Sequence, residues 1–319
     1  MLPSLRGTIT ARVASSSGAA AAATMPGSNS SFLLLPKRLL LVRHGESAAN
    51  ADRSVYSHTP DWKIPLTDLG QQQAKECAAS IKDIVQQDKV YLYTSPYRRA
   101  RQTLEHIRAA LDPNQVEGER EDERLREQEM GNFQPYDQMK ATWEERQQSS
   151  RFYYRFPNGE SGSDVCDRVS LFLDSLFRER REMVGALQSA SGGGSNLEGC
   201  TSSPEDHNIV IVCHGLFVRL FISRWYKLPV EIFELLYNPP NCGVVVLERD
   251  DNKGRLVMRQ DCKALFGSDP RVLPIQFDGS DHDRWYRTDE MFRHSTTGEN
   301  ILKLHSEDVD APDGGISVK

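Results

Sequence analysis

Two short apolar runs in this chain each end in a histidine that is followed by glycine. Residues 39–42 are apolar and lead into Arg43 and His44, and residues 209–212 lead through a cysteine into His214. A short apolar run bounded by polar and glycine residues is typical of a buried strand. Ligands of open α/β sheets bind beyond the carboxyl ends of the strands. The sequence therefore predicts two imidazoles and a guanidinium at one sheet edge, a plausible pocket for an anion and a nucleophile.

The segments between and around these runs alternate between strand and helix patterns. Ser95 and Pro96 form a good helix start, and apolar residues at helical spacing follow Ser163. We therefore predict an α/β three-layer sandwich, with a mainly parallel mixed sheet and helices on both faces. The further predicted elements are a helix ending at Val85, a strand at 90–94, helices at 216–227 and 230–237, and a β-hairpin formed by 244–249 and 256–260.

Composition limits the classes of partner. The net charge of −6 over 319 residues provides no overall attraction for nucleic acid or an anionic membrane. No apolar stretch approaches the roughly 20 residues that a membrane span needs. The six cysteines lack the spacing of a zinc site or redox motif, so we expect reduced thiols in an intracellular protein. The sequence thus predicts no nucleic-acid or membrane partner, and it leaves the oligomeric state open.

Three segments differ in composition from a central domain that we place at 37–265. Residues 1–36 contain no acidic residue, which suits either a disordered leader or an organellar (chloroplast or mitochondrial) transit peptide. The location is thus cytoplasmic or, alternatively, organellar. Residues 189–206 are rich in glycine and serine and predict a flexible loop. Residues 266–319 predict a polar, partly disordered extension, in which Asp281-His282-Asp283 is better explained as solvated than as a metal cluster.

The Arg-His-Gly-Glu-Ser motif at 43–47, with its partners downstream, resembles the histidine phosphatase (phosphoglycerate mutase-like) superfamily over residues 39–262. Residues 93–103, 125–134 and 156–161 are similar to one branch, which contains fungal broad-range acid phosphatases and plant phosphoglycerate mutase-like proteins. The resemblance implies a single mixed sheet with helices on both faces. It also implies phosphoryl chemistry on a small phosphorylated substrate, without a metal or other cofactor.

The proposed nucleophile is His44, because a neutral imidazole can attack phosphorus and form a phosphohistidine. Arg43 and Arg99 are the predicted phosphate ligands, since a guanidinium pairs bidentately with phosphoryl oxygens. Three arginines lie at 98–101, and the family pattern Ser-Pro-x-x-Arg-Ala selects Arg99 among them. The resemblance also implies that Asn50 binds phosphate through its amide.

Two further catalytic residues follow from the resemblance. His214 is the predicted second imidazole, which would donate to the phosphoryl oxygens while charged. Its charge would come from the bound dianion or from a carboxylate partner. The family pattern Leu-x-Glu-x-x-x-Gly falls on Leu125, Glu127 and Gly131 and makes Glu127 the predicted general acid.

The roles of two segments stay open at this point. The alternating basic and aromatic residues at 151–156 suit either the mouth of a substrate pocket or a buried connection. Glu160 and Ser161 resemble a family element near the site, and capping of the following helix explains them equally.

Three functions are compatible with these residues: a metal-independent phosphomonoesterase, a phosphoglycerate mutase-type phosphotransferase and a non-catalytic phospho-ligand-binding protein. Binding alone requires neither a nucleophile nor an acid, which argues against the third. Mutases of the family carry basic residues after the catalytic glutamate, whereas this chain has Gln128-Glu129-Met130-Gly131. The sequence therefore favours the phosphatase.

Overall fold

The computed structural model describes residues 35–131, 135–191 and 207–267, with side chains of the long helix described as far as residue 182. Within these residues one sheet has the strand order β3-β2-β4-β1-β5-β6. Its strands are β1 (Arg38–Arg43), β2 (Val90–Thr94), β3 (Val116–Glu121), β4 (Asn208–Cys213), β5 (Val244–Asp250) and β6 (Arg255–Met258).

The parallel pairing of β1 with β4 forms the centre of this sheet. Arg43 is the register partner of Cys213, and the His44 N–H donates to the Cys213 carbonyl at 3.0 Å. The two strands therefore end at the same edge. Strand β2 runs parallel to β3 and β4, whereas β5 runs antiparallel to β1 and β6. The sheet is mixed, and its central part is parallel.

Helices cover both faces of the sheet, as the complete burial of β4 requires. Helix α2 packs against α3, and α5 packs against α6. The helices are α1 (Ala48–Ala51), α2 (Asp68–Val85), α3 (Arg98–Ala110), α4 (Tyr136–Ser149), α5 (Gly162–Ser191), α6 (Gly215–Trp225) and α7 (Val230–Leu235). Short 3₁₀ helices lie at Arg53–Ser57, Asp61–Lys63, Glu123–Leu125 and Gln260–Phe266.

This architecture confirms the predicted fold class, including the hairpin formed by β5 and β6. The edge strand β3, the helix α4 and the 3₁₀ helices were not predicted. Helix α3 begins two residues later than Pro96, and α5 extends to Ser191, into the segment predicted as a loop. The rest of that loop, the leader at 1–34, most of the C-terminal extension and residues 281–283 lie outside the described residues.

None of the helices in the described part of the chain combines the length and the apolar character that crossing a membrane requires.

Candidate active site

His44 lies directly after β1 and is only 3% exposed. Its Nδ1 is 2.6 Å from the carbonyl oxygen of Gly45, so Nδ1 must carry the proton and donate. Its Nε2 accepts a hydrogen bond from Nε of Arg99 at 3.2 Å. These two contacts select one tautomer and leave the lone pair on Nε2. The nitrogen that can attack an electrophile is therefore Nε2.

The surroundings of His44 also favour its neutral form. Burial lowers the pKa of His44 well below the ordinary histidine value, and the positive charges of Arg99 and Arg43 lower it further. The imidazole is consequently unprotonated at neutral pH, as a nucleophile must be.

Arg99 is held by a carboxylate that the sequence did not single out. Its Nη1 donates to Oδ1 of Asp61 at 2.7 Å and to the Asp61 carbonyl at 2.8 Å, and Nη2 donates to Oδ2 at 3.3 Å. Burial alone would lower the pKa of Arg99, but the Asp61 carboxylate raises it, so that the guanidinium keeps its charge. Arg98, its neighbour, is exposed.

Arg43 and Asn50 complete the predicted phosphate ligands. Nη1 of Arg43 donates to the carbonyl of Pro239 at 2.7 Å. Oδ1 of Asn50 accepts from the amide and hydroxyl of Ser47, both at 3.0 Å, and from Nδ2 of Asn241 at 3.2 Å. Because Oδ1 accepts all three bonds, Nδ2 is the part of the Asn50 amide that remains to donate to a ligand.

Gly45, which follows His44, lies in close contact with the backbone of helix α2. A Cβ at this position would lie 2.5 Å from the carbonyl oxygen of Gly70, in the first turn of α2. The Gly45 N–H donates to Oγ1 of Thr103 at 3.1 Å. The missing side chain therefore lets α2 pack against the loop that carries His44.

His214 is fully buried, and its ring centroid lies 5.1 Å from that of His44. Its Nε2 is 2.8 Å from Oγ of Ser95, a hydrogen bond in which either group can donate. Its Nδ1 has no hydrogen-bond partner among the described residues, and Oε2 of Glu127 lies 3.9 Å away. Burial lowers the pKa of His214, and Arg99 and His44 lower it further. Glu127 is thus the acidic residue whose side chain lies next to this imidazole.

Glu127 follows the 3₁₀ helix Glu123–Leu125, and its side chain is 19% exposed in the cavity wall. Burial raises the pKa of Glu127, although the Gln128 N–H, which donates to Oε1 at 2.8 Å, and the charge of Arg99 act in the opposite direction. The net direction favours the protonated carboxyl, which is the form that a general acid needs.

The loop that carries Glu127 is fastened by a buried ion pair. Glu160 accepts from Nε and Nη2 of Arg168 at 2.9 and 2.7 Å, and from Nη2 of Arg126 at 2.7 Å. Arg168 also donates to the carbonyl of Glu127 at 3.4 Å. Ser161 caps α5 through a reciprocal pair of hydrogen bonds with Asp164. Ser161 therefore caps the following helix, and Glu160 holds the loop that carries Glu127.

These residues surround a cavity of about 210 Å³. Five of the six predicted site residues line it, and His214 lies against His44 without lining it. In the segment 151–156, Arg151 lines the cavity whereas Phe156 is buried. Sequence reasoning missed several lining residues, chiefly Arg53, Tyr56, Trp143, Arg146 and Arg219.

The site thus combines a strand-end histidine with buried arginines, and comparison with known proteins identifies the family. Residues 39–187 and 194–261 match the model of the histidine phosphatase superfamily (branch 1). The chain therefore belongs to this superfamily, as the motif at 43–47 indicated.

Its relatives include both groups that the sequence resembled. Phosphoglycerate mutase-like protein AT74 of Arabidopsis thaliana is 44% identical over 222 residues, which cover 67% of this chain and 66% of that protein. Broad-range acid phosphatase DET1 of Saccharomyces cerevisiae is 27% identical over 316 residues, covering 70% of this chain and 89% of that protein. The chain thus spans about two thirds of the Arabidopsis relative's length.

Solved structures share the fold. The structure described as Bacillus stearothermophilus YhfR matches with a TM-score of 0.51 at 22% sequence identity, covering 74% of this chain and 98% of that chain. At this identity the likeness concerns the fold alone.

The contact between Ser95 and His214 leads to a first prediction. In Ser95→Ala, Nε2 of the buried His214 loses its partner, which typically costs about 1–3 kcal/mol. We expect kcat for nitrophenyl phosphate to fall by about one to two orders of magnitude, with KM nearly unchanged. Steady-state kinetics measure this, with the exposed Ser80→Ala as control. An unchanged kcat would show that Ser95 does not position the imidazole.

Proposed function

We propose that the protein is a metal-independent phosphomonoesterase, which acts on small phosphorylated metabolites through a phosphohistidine intermediate. The observation that supports it most is the state of His44. Its Nε2 carries the lone pair and accepts a hydrogen bond from Nε of Arg99 at 3.2 Å. The guanidinium that would bind the phosphoryl group therefore already lies beside the nitrogen that would attack it.

In the first step, Nε2 of His44 attacks phosphorus, and the bond to the leaving oxygen breaks. Glu127 gives its proton to that oxygen, so the leaving group departs as a neutral alcohol. Arg43, Arg99 and the Asn50 amide hold the phosphoryl oxygens. These donors are positioned before the reaction, and such preorganised charge stabilises the transition state.

In the second step, water attacks the phosphohistidine. Glu127, now a carboxylate, accepts a proton from the water, and the bond between Nε2 and phosphorus breaks to release inorganic phosphate. The exposed fifth of the Glu127 side chain lets water reach this carboxylate. The bound dianion raises the pKa of His214, whose Nδ1 then donates to a phosphoryl oxygen.

A mutase remains the second candidate, because the cavity contains more positive charge than the sequence argument assumed. Residues 128–131 contain no basic side chain, whereas Arg53 and Arg146 line the cavity from other segments. The access of water to Glu127 and the name of the yeast relative, a broad-range acid phosphatase, support hydrolysis.

The covalent step can be tested at His44. His44→Ala should keep less than about 1% of wild-type turnover, a loss of roughly two decades or more, because a methyl group cannot accept the phosphoryl group. Rapid quenching of wild type and labelled substrate in alkaline detergent should trap a phosphoenzyme that is stable in base and labile in acid, with a chelator present throughout. His106→Ala, a histidine that contacts Gln71 between α2 and α3, is the control. Substantial activity in His44→Ala, or activity that zinc or magnesium restores after chelation, would refute this mechanism.

The pH dependence follows from the two opposite pKa shifts. His44 must be neutral, and its lowered pKa places the acid limb below the usual histidine range. Glu127 must be protonated, and its raised pKa places the falling limb above the usual glutamate range. The profile of kcat/KM for a sugar phosphate should therefore be bell-shaped with an acidic optimum.

Glu127→Gln tests the origin of the falling limb. This variant should slow sugar phosphates by about 10²- to 10⁴-fold and remove that limb. Nitrophenyl phosphate should be affected much less, since its leaving group needs little protonation. The exposed Glu123→Gln serves as control. If both substrates slow equally, Glu127 is not the acid.

Hydrolysis and phosphoryl transfer are separated by two assays on one preparation. We expect inorganic phosphate release from several monoesters, without stimulation by a bisphosphoglycerate primer. An enolase-coupled measurement reports interconversion of the monophosphoglycerates. If the coupled rate exceeds phosphate release and depends on primer, the protein is a mutase.

A further inference from the structure

The cavity carries more positive charge than one phosphoryl group requires. Its lining residues include six arginines and a single acidic residue, Glu127. Arg43 and Arg99 belong to the phosphoryl site described above. Arg151 forms an ion pair with Glu234 at 3.2 Å. The six arginines are Arg43, Arg53, Arg99, Arg146, Arg151 and Arg219.

Arg53 and Arg146 lie in the outer part of the cavity. Both are half-buried, whereas Arg43 and Arg99 are 3% and 2% exposed. Arg53 belongs to the 3₁₀ helix Arg53–Ser57, and Arg146 belongs to α4. The two arginines thus come from segments distant in sequence that meet at the entrance.

Aromatic contacts hold this outer region together. The guanidinium of Arg53 lies 4.4 Å from the centroid of the Trp143 ring, and Tyr56 meets the same ring edge-on at 6.4 Å. A guanidinium stacked on an aromatic face is already held in one orientation, so it loses little further freedom when it binds an anion.

Arg146 is linked to the residue beside the general acid. Its Nη2 donates to Oε1 of Gln128 at 3.3 Å, and Gln128 directly follows Glu127. Because the general acid protonates the leaving oxygen, the leaving group of a bound ester lies next to Glu127. The outer arginines therefore lie on the leaving-group side of the phosphoryl site.

We propose that Arg53 and Arg146 form an outer anion site, which binds a second phosphate or carboxylate on the leaving group and makes phosphomonoesters with two anionic groups the preferred substrates. This inference rests on the proposed phosphatase function. Guanidinium groups bind both anions through paired N–H donors. The chain as a whole has a net charge of −6, so the attraction is specific to this cavity.

The size of the cavity further limits the class of substrate. A volume of about 210 Å³ is below the roughly 300–1,000 Å³ of pockets that hold drug-sized ligands. It suits a phosphorylated hydroxy acid or a sugar bisphosphate, in which the two anions are separated by a short carbon chain.

Matched substrate pairs test the outer anion site. Glycerol 3-phosphate and 3-phosphoglycerate differ in one carboxylate, and fructose 6-phosphate and fructose 1,6-bisphosphate differ in one phosphate. In Arg53→Gln and Arg146→Gln we expect kcat/KM to fall about tenfold or more for the member with two anions. For its partner we expect a change below about threefold, since the phosphoryl site is intact.

Control variants distinguish the effect of a lost charge from the effect of a disturbed fold. Arg108→Gln removes an exposed arginine that pairs with Glu119 at 3.5 Å, and it should leave both members of each pair unaffected. Arg53→Lys and Arg146→Lys should retain part of the preference for the member with two anions, because lysine keeps the positive charge but lacks the paired N–H donors of a guanidinium. Equal losses for both members of a pair would overturn the proposal, as would unchanged selectivity in both glutamine variants. Comparison of the two pairs shows which anion the site prefers.

Binding to His44→Ala distinguishes this proposal from the proposed function. Isothermal titration calorimetry with that variant, which cannot turn over, should show tighter binding of the member with two anions. The preference should be lost when Arg53→Gln and Arg146→Gln are added. If the preference holds but the wild type releases no phosphate, the outer anion site stands and the phosphatase proposal fails. If the wild type is a phosphatase without this preference, the outer anion site is refuted.

Discussion

The parallel pairing of β1 with β4 is the constraint on which the site depends. The two strands end in register, and the His44 N–H donates to the Cys213 carbonyl at 3.0 Å, so the imidazole centroids lie 5.1 Å apart. A one-residue slip would turn every side chain of a strand to the opposite face. Here such a slip would separate the two imidazoles, and register therefore determines the geometry of the candidate active site as well as the packing.

Burial favours the neutral form of both the proposed nucleophile, His44, and the proposed acid, Glu127. It lowers the pKa of His44 and raises the pKa of Glu127 because in each case it disfavours the charged form. The neutral imidazole is the nucleophile and the neutral carboxyl is the acid. Desolvation thus supplies both reactive forms at once, while Asp61 keeps Arg99 charged.

The sequence predicted those parts of the structure that leave a local pattern. The buried strands β1, β2 and β4 are apolar runs, and the motif at 43–47 locates the nucleophile. Strand β3 was not predicted because it is an exposed edge strand. Its sequence, Val-Glu-Gly-Glu-Arg-Glu, lacks the apolar run of a buried strand. Asp61 and Ser95 support Arg99 and His214 through contacts that span 38 and 119 residues. Such partners are set by tertiary structure, so a linear pattern does not reveal them.

Helix α4 shows why the outer part of the cavity was the hardest to predict. Met139 is the only buried residue of this helix, all of whose residues the structure describes. The helix therefore lacks the apolar face that marks a core helix. Its contacts with the rest of the fold include Trp143 with Arg53 and Arg146 with Gln128. These same side chains line the cavity. The contacts that attach the helix are therefore the contacts that shape the entrance, and a sequence change that alters substrate preference here must also alter how firmly α4 is held.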